Sequence, residues 1–183
     1  MAVRKKSETI HLRVDPLSKF LLEGLASITK TTSTRVIEEL ILNAARAEVI
    51  DDVDIILSEE LLKNGVLTLD IALRLSLDSR HPIYTKLRTY YLAVDALNFK
   101  DHIIARSIIL HPKLFSGQDY IFHESEQIIK AEDFSEVPRV NLEKIQRHMD
   151  DLNKFAEFCE KNPKLKIKYE AFLELTATNN DIS

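Results

Sequence analysis

Between residues 9 and 14 polar and apolar side chains alternate strictly: Ile10, Leu12 and Val14 fall on one side, Thr9, His11 and Arg13 on the other. A period of two is the pattern of a half-buried strand. Asp15-Pro16 stops it, because proline donates no ladder hydrogen bond and biases the residue before it toward extended geometry. The period then lengthens. Leu17, Phe20, Leu21, Leu25 and Ile28 recur at helical spacing, which predicts a helix over about 16–28, with Asp15 as N-cap and Pro16 at its first position. Gly24 interrupts this helix at a cost of about 1 kcal/mol relative to alanine, which points to close packing there. Thr29 to Ser33 is polar and rich in capping residues. A second helix follows, capped by Thr32 or Ser33, with Val36, Ile37, Leu40, Ile41, Ala44 and Ala45 as its apolar stripe.

One strand and two helices cannot close a core alone. A lone strand leaves both edges unpaired, and the helices expose more apolar surface than one strand covers. Two copies solve both problems: the strands pair antiparallel and four helices share one core.

Beyond residue 50 the pattern is mostly helical but less regular. Asp51-Asp52-Val53-Asp54 forms an acidic break, so the expected domains are 1–50 and 51–183. Helices are expected over about 57–63, 69–78, 83–98, 102–110, 124–132, 141–160 and 164–176, with Thr68, Pro82, Asp101, Asn141 and Pro163 as start signals. Ser116-Gly117 and 132–138 read as loops. One stretch has two readings. Leu67, Leu69, Ile71, Leu73, Leu75 and Leu77 alternate as a strand would, but leucine, alanine and arginine favour helix and β-branched residues are few. The fold class expected is therefore mainly α, an N-terminal strand-helix-helix dimer followed by an α-helical C-terminal domain.

Composition narrows the function classes. Of 183 residues 45% are apolar and 30% charged, which is incompatible with wholesale disorder. The 3 glycines, Gly24, Gly65 and Gly117, stand apart, so phosphate-cradling and dinucleotide fingerprints are absent. Cys159 is the sole cysteine, which excludes an intrachain disulfide framework and any multi-cysteine metal site. No apolar run approaches the ~18 residues of a membrane span, and the basic N-terminus leads into no apolar signal region. A cytoplasmic location away from membranes is expected. Charge is unevenly placed. Residues 1–50 carry 8 basic against 6 acidic residues, and residues 51–183 carry 17 against 23, giving +2 and −6 and the overall −4.

Residues Lys5 to Glu48 resemble the ribbon-helix-helix (MetJ/Arc-type) DNA-binding proteins. The resemblance rests on the strand Thr9–Val14, the Val14-Asp15-Pro16-Leu17 junction, the polar cap at Thr32-Ser33 and the run Val36-Ile37…Leu40-Ile41. The string Leu12-Arg13-Val14-Asp15-Pro16 is especially similar to antitoxin-type members. The chain departs from the family at the interhelix turn, where many members carry glycine and this one has Lys30-Thr31. The resemblance covers about a quarter of the chain. It implies an intertwined dimer whose two-stranded ribbon enters the major groove of double-stranded DNA. Thr9, His11 and Arg13 would read base edges, Arg13 through a bidentate contact to guanine. Thr32, Ser33 and Arg35 at the start of the second helix would hold phosphate, with Lys5 and Lys6 adding salt-dependent contacts.

The rest of the chain offers no comparable chemistry. His81, His102, His111, His123 and His148 show no i, i+4 metal spacing and read as caps or surface residues. His123, Glu124 and Glu126 lack any pattern fixing an acid/base geometry, and Cys159 lies on an apolar stripe. Tyr84, Tyr90, Tyr91 and Arg88 read as core packing with polar rims. No enzyme activity, cofactor or metal is expected. The function expected is a transcriptional regulator, a repressor, acting as a homodimer or higher even oligomer. Residues 51–183 would serve oligomerisation, an effector or a protein partner. The alternatives are an autorepressing antitoxin, or a plasmid partition or relaxosome DNA-binding protein.

Overall fold

The computed structural model describes residues 9–51, 53, 57–62 and 64–180. The molecule is mainly helical with one small two-stranded sheet. The chain divides into two compact units, the first ending at Ala44 and the second beginning at Ala45.

In the first unit Asp15 caps α1 (Pro16–Ile28): its carboxylate accepts the Ser18 N–H at 3.0 Å and the Ser18 hydroxyl at 2.6 Å, with Pro16 just inside the helix. These bonds hold the Asp15 carboxyl below its ordinary pKa. The helix ends at Thr29. The Thr31 N–H then returns to the Ala26 carbonyl and the Lys30 N–H to that of Ser27, the paired bonds of a Schellman turn. Lys30 sits at the left-handed position with φ 53°. Lys30 therefore makes a turn of the kind glycine usually makes. The next helix, α2 (Ser33–Ala47), follows at once.

Residues 9–14 carry no sheet pairing, so the expected strand is not formed within one chain. A strand is defined by its neighbour, and none of the described residues offers one. Among the described residues of this unit only Ala26 and Val36 are buried, while Ile10, Leu12, Val14, Phe20 and Ile28 are 55–82% exposed. Gly24 also departs from expectation: a Cβ there would meet nothing within 4 Å.

The second unit holds α3 (Leu69–Ser76), α4 (Pro82–Leu92), α5 (Phe99–Leu110), α6 (Pro112–Phe115), α7 (Leu142–Arg147), α8 (Met149–Lys161) and α9 (Tyr169–Asn180). Its sheet is β1 (Ser116–Tyr120) antiparallel to β2 (Arg139–Val140). Helix α5 lies against α4 and α8, burying Ile104, Ala105, Ser107 and Ile108 on one side while Arg106 and Leu110 are exposed. Leu87, Leu92, Phe115, Ile145, Leu152 and Tyr169 complete the centre of the core. Residues 69–76 are helical, so the helix reading of the leucine-rich stretch holds. No helix among the described residues is long and apolar enough to cross a membrane.

Several expected boundaries are corrected. The 57–63 helix is a single 3₁₀ turn at Glu59–Leu61, with Lys63 outside the described residues. The 83–98 helix stops at Ala93 (φ −161°, ψ 66°) and resumes as a 3₁₀ turn at Val94–Ala96. Asn98, not Asp101, caps α5, its side chain accepting the Asp101 N–H at 2.9 Å. The Ser116-Gly117 loop is the start of β1. The 124–132 helix is one 3₁₀ turn, Glu124–Glu126, ended by Gln127 at φ 53°; the chain then bridges Leu57 through Ile129. The 141–160 helix breaks at His148, whose N–H is shared between the Lys144 and Ile145 carbonyls. The last helix starts at Tyr169 rather than 164.

Candidate nucleic-acid interface

Thr9, His11 and Arg13 are all exposed, and none has a protein partner among the described residues. Ile10, Leu12 and Val14 alternate with them. The Asp15 cap fixes where this segment ends and α1 begins.

At the other end of the turn Thr32 caps α2. Its Oγ1 accepts the Arg35 N–H at 3.2 Å, and its carbonyl accepts the Val36 N–H at 3.0 Å. Ser33 and Thr34 are left with first-turn N–H groups free to meet an anion. The sequence-predicted cluster Thr32, Ser33 and Arg35 is thus brought to one helix terminus. The Arg35 side chain behaves differently from expectation. It is not a free cation: its Nε lies 2.9 Å from Glu39 Oε1 and its Nη1 3.5 Å from Glu38 Oε2. Both pairs follow from i, i+3 and i, i+4 spacing, a signal legible in the sequence. Arg35 is exposed, so exchanging these carboxylates for a phosphate costs little. Lys30, two residues before the cap, is an exposed cation with no carboxylate partner among the described residues, at a position that reads in the sequence only as a turn. Lys5 and Lys6 lie outside the described residues.

The second unit holds a buried charge network of its own. Its most buried charge is Arg88, whose side chain is 2% exposed. Its side chain donates four hydrogen bonds and makes a further ion pair. Nε donates to the Ile121 carbonyl at 2.7 Å. Nη1 donates to Glu126 Oε1 and, weakly, to the Leu75 carbonyl. Nη2 donates to Glu126 Oε2 at 2.8 Å and faces Asp78 Oδ2 at 3.0 Å. Arg80 holds the other side of Asp78, donates to the Tyr120 carbonyl and lies over the Tyr84 ring. Burial pushes the Asp78 carboxyl up, but its bonds to Arg80 and the Arg88 charge outweigh this and leave its pKa below the ordinary value. Every group here is spent on another, which ties α4 to the loop after β1. Glu126 is therefore bound to Arg88 and to the His123 N–H rather than poised as an acid or base.

The histidines also have structural places. His81 caps α4 through Nδ1, His111 bonds the Ser107 carbonyl, His148 meets the Tyr169 hydroxyl, and His102 lies edge-on to Tyr90. Tyr84 and Tyr91 are buried in the core. Burial raises the Cys159 thiol pKa, which disfavours the nucleophilic thiolate. No group of three His, Cys, Asp or Glu residues among the described residues could hold a metal ion.

No family model, curated protein or solved structure matches this chain.

Proposed function

We propose that this protein is a sequence-specific DNA-binding transcriptional regulator, a repressor, which reads the major groove with a ribbon made by two copies of residues 9–14. The carrying observation is the open apolar face of the first unit. Ile10, Leu12 and Val14, with Leu17, Phe20, Leu21, Leu25 and Ile28 of α1 and Leu40 and Ile41 of α2, are all exposed in a single chain. A face of this extent needs a partner. A second copy supplies the missing strand edge and the missing half of a ribbon-helix-helix core together.

Strand pairing that buries Ile10, Leu12 and Val14 turns Thr9, His11 and Arg13 outward as a paired ribbon, because alternate residues face opposite ways. Arg13 then contacts guanine, and Thr9 and His11 supply mixed donors and acceptors. The α2 terminus, with Thr32, Ser33, Arg35 and Lys30, holds the flanking backbone phosphates and sets the register. The packed second unit favours a regulator over an antitoxin ending in a short flexible tail. It leaves residues 45–183 free to carry the regulatory input.

The test is selection of bound duplexes from a random DNA pool by the full-length protein. Enrichment of a short repeated motif is expected. With Arg13→Ala the base preference at one position per half-site should relax, consistent with the loss of about 1–3 kcal/mol of discrimination. Absence of any enriched motif would overturn the reading.

A further inference from the structure

We propose that the cleft formed by the end of α5, by α6 and by the start of α9 is a binding site for a small organic anion. The ligand class is a molecule bearing carboxylate or phosphate groups on a short carbon frame. The cleft encloses about 550 Å³ and is lined by Arg106, Leu110, His111, Pro112, Lys113, Lys168 and Glu170. That volume lies in the range of small-molecule sites, about 300–1,000 Å³.

The charge in this cleft runs against that of its surroundings. Residues 51–183 hold 17 basic against 23 acidic residues, yet three cations and one carboxylate, Glu170, line this cleft. Elsewhere in the unit Arg74, Arg80, Lys86, Arg88, Lys100 and Lys130 each pair with a carboxylate. Arg106, Lys113 and Lys168 have no such partner among the described residues. One carboxylate balances only one of the three cations, and an anion seated among them offsets the remaining repulsion. Arginine adds a planar fork suited to a carboxylate or phosphate.

The floor is fixed before any ligand arrives. The His111 Nδ1 lies 2.7 Å from the Ser107 carbonyl and must donate to it, which holds the ring in place. The same ring meets the edge of the buried Tyr169. Leu110 and Pro112 form an apolar wall, which a bare inorganic ion would leave unused but a carbon frame covers. Glu170 sets an upper limit on the negative charge accepted and disfavours a continuous polyanion such as DNA.

The site stands apart from the DNA-binding reading, since a chain that selects no duplex can still take up the anion. The experiment is calorimetric titration of the full-length protein at constant ionic strength. The probes are citrate, glycerol 3-phosphate and inorganic phosphate, repeated with Arg106→Gln and Lys168→Gln. Both side chains are exposed, so the variants fold, and circular dichroism verifies it. Saturable binding of citrate or of glycerol 3-phosphate is expected, tighter than inorganic phosphate and at least about tenfold weaker in each variant. Which of the two organic probes binds tells carboxylate from phosphate. Three results would overturn the proposal: no saturable binding by either organic probe, equal affinity of the variants and the parent, or inorganic phosphate binding as tightly as both. A random-sequence duplex that displaces the probe and loses affinity with Arg106→Gln would make the cleft a nucleic-acid surface instead.

Discussion

Lys30 occupies a left-handed backbone position that disfavours any side chain with a Cβ, at a cost of about 1–2 kcal/mol. Lys30→Gly should therefore stabilise the first unit by about 1 kcal/mol, read from urea denaturation at fixed protein concentration. If Lys30 also holds phosphate, the same substitution should weaken DNA binding at every sequence alike. Opposite signs in the two measurements would separate the roles. Arg88 lies at the other extreme. Arg88→Met removes one of the two cations on the buried Asp78 and leaves Glu126 without its bidentate partner, and a loss of about 3–5 kcal/mol of stability is expected. Asp78 makes the network pH-sensitive. Its folded pKa lies below the ordinary value of 3.8, so its contribution is fully present above that value and is lost as pH falls through the folded pKa. Far-UV circular dichroism against pH should show acid loss of structure setting in below about pH 4, with a shallower dependence in Asp78→Asn. Arg88 could be named from the sequence, but not its partners. Asp78, Ile121 and Glu126 reach it from 10, 33 and 38 positions away, distances that no local pattern encodes.

At the level of elements, caps were legible and breaks were not. Asp15, Pro16, Thr32 and Pro82 mark helix starts because a cap acts within three or four residues. The break at His148 was hidden because Ile145, Met149 and Leu152 keep helical spacing straight through it. Ser116-Gly117 read as a loop because serine and glycine favour turns, yet pairing with Val140, more than twenty residues on, makes it a strand with a bulge. Gly117 is required there: a Cβ would lie 2.6 Å from the Val140 carbonyl oxygen and 2.8 Å from the Asn141 Cα. Gly117→Ala should cost about 1–3 kcal/mol in a thermal or chemical melt of the full chain. The open face of residues 10–14 and α1 carries its own test. Leu12→Lys should shift sedimentation from an even oligomer toward the single chain and abolish DNA binding with it, leaving the second unit's melting transition in place.

For the molecule as a whole, the two units differ in charge, burial and expected partner. Residues 1–50 are net positive and residues 51–183 net negative. If DNA is held by the first unit alone, log affinity should fall linearly with log salt. Lys5→Ala should flatten that slope by about one unit while keeping the preferred sequence, whereas Arg13→Ala should change the preference. An unchanged slope and unchanged preference in both variants would remove the DNA assignment.

What the sequence determined by itself is local: the alternation of residues 9–14, the caps, the helix periods, the segregation of charge and the polar set Thr9, His11 and Arg13. These follow from backbone sterics and hydrogen bonds within a few residues. The tertiary structure alone decided the two-sided grip on Asp78, the pairing of Ser116 with Val140, and the meeting of Arg106, Lys113 and Lys168 in one cleft. Such features depend on which distant side chains packing brings within a few ångströms, and many sequences with the same hydrophobic pattern would bring together different ones.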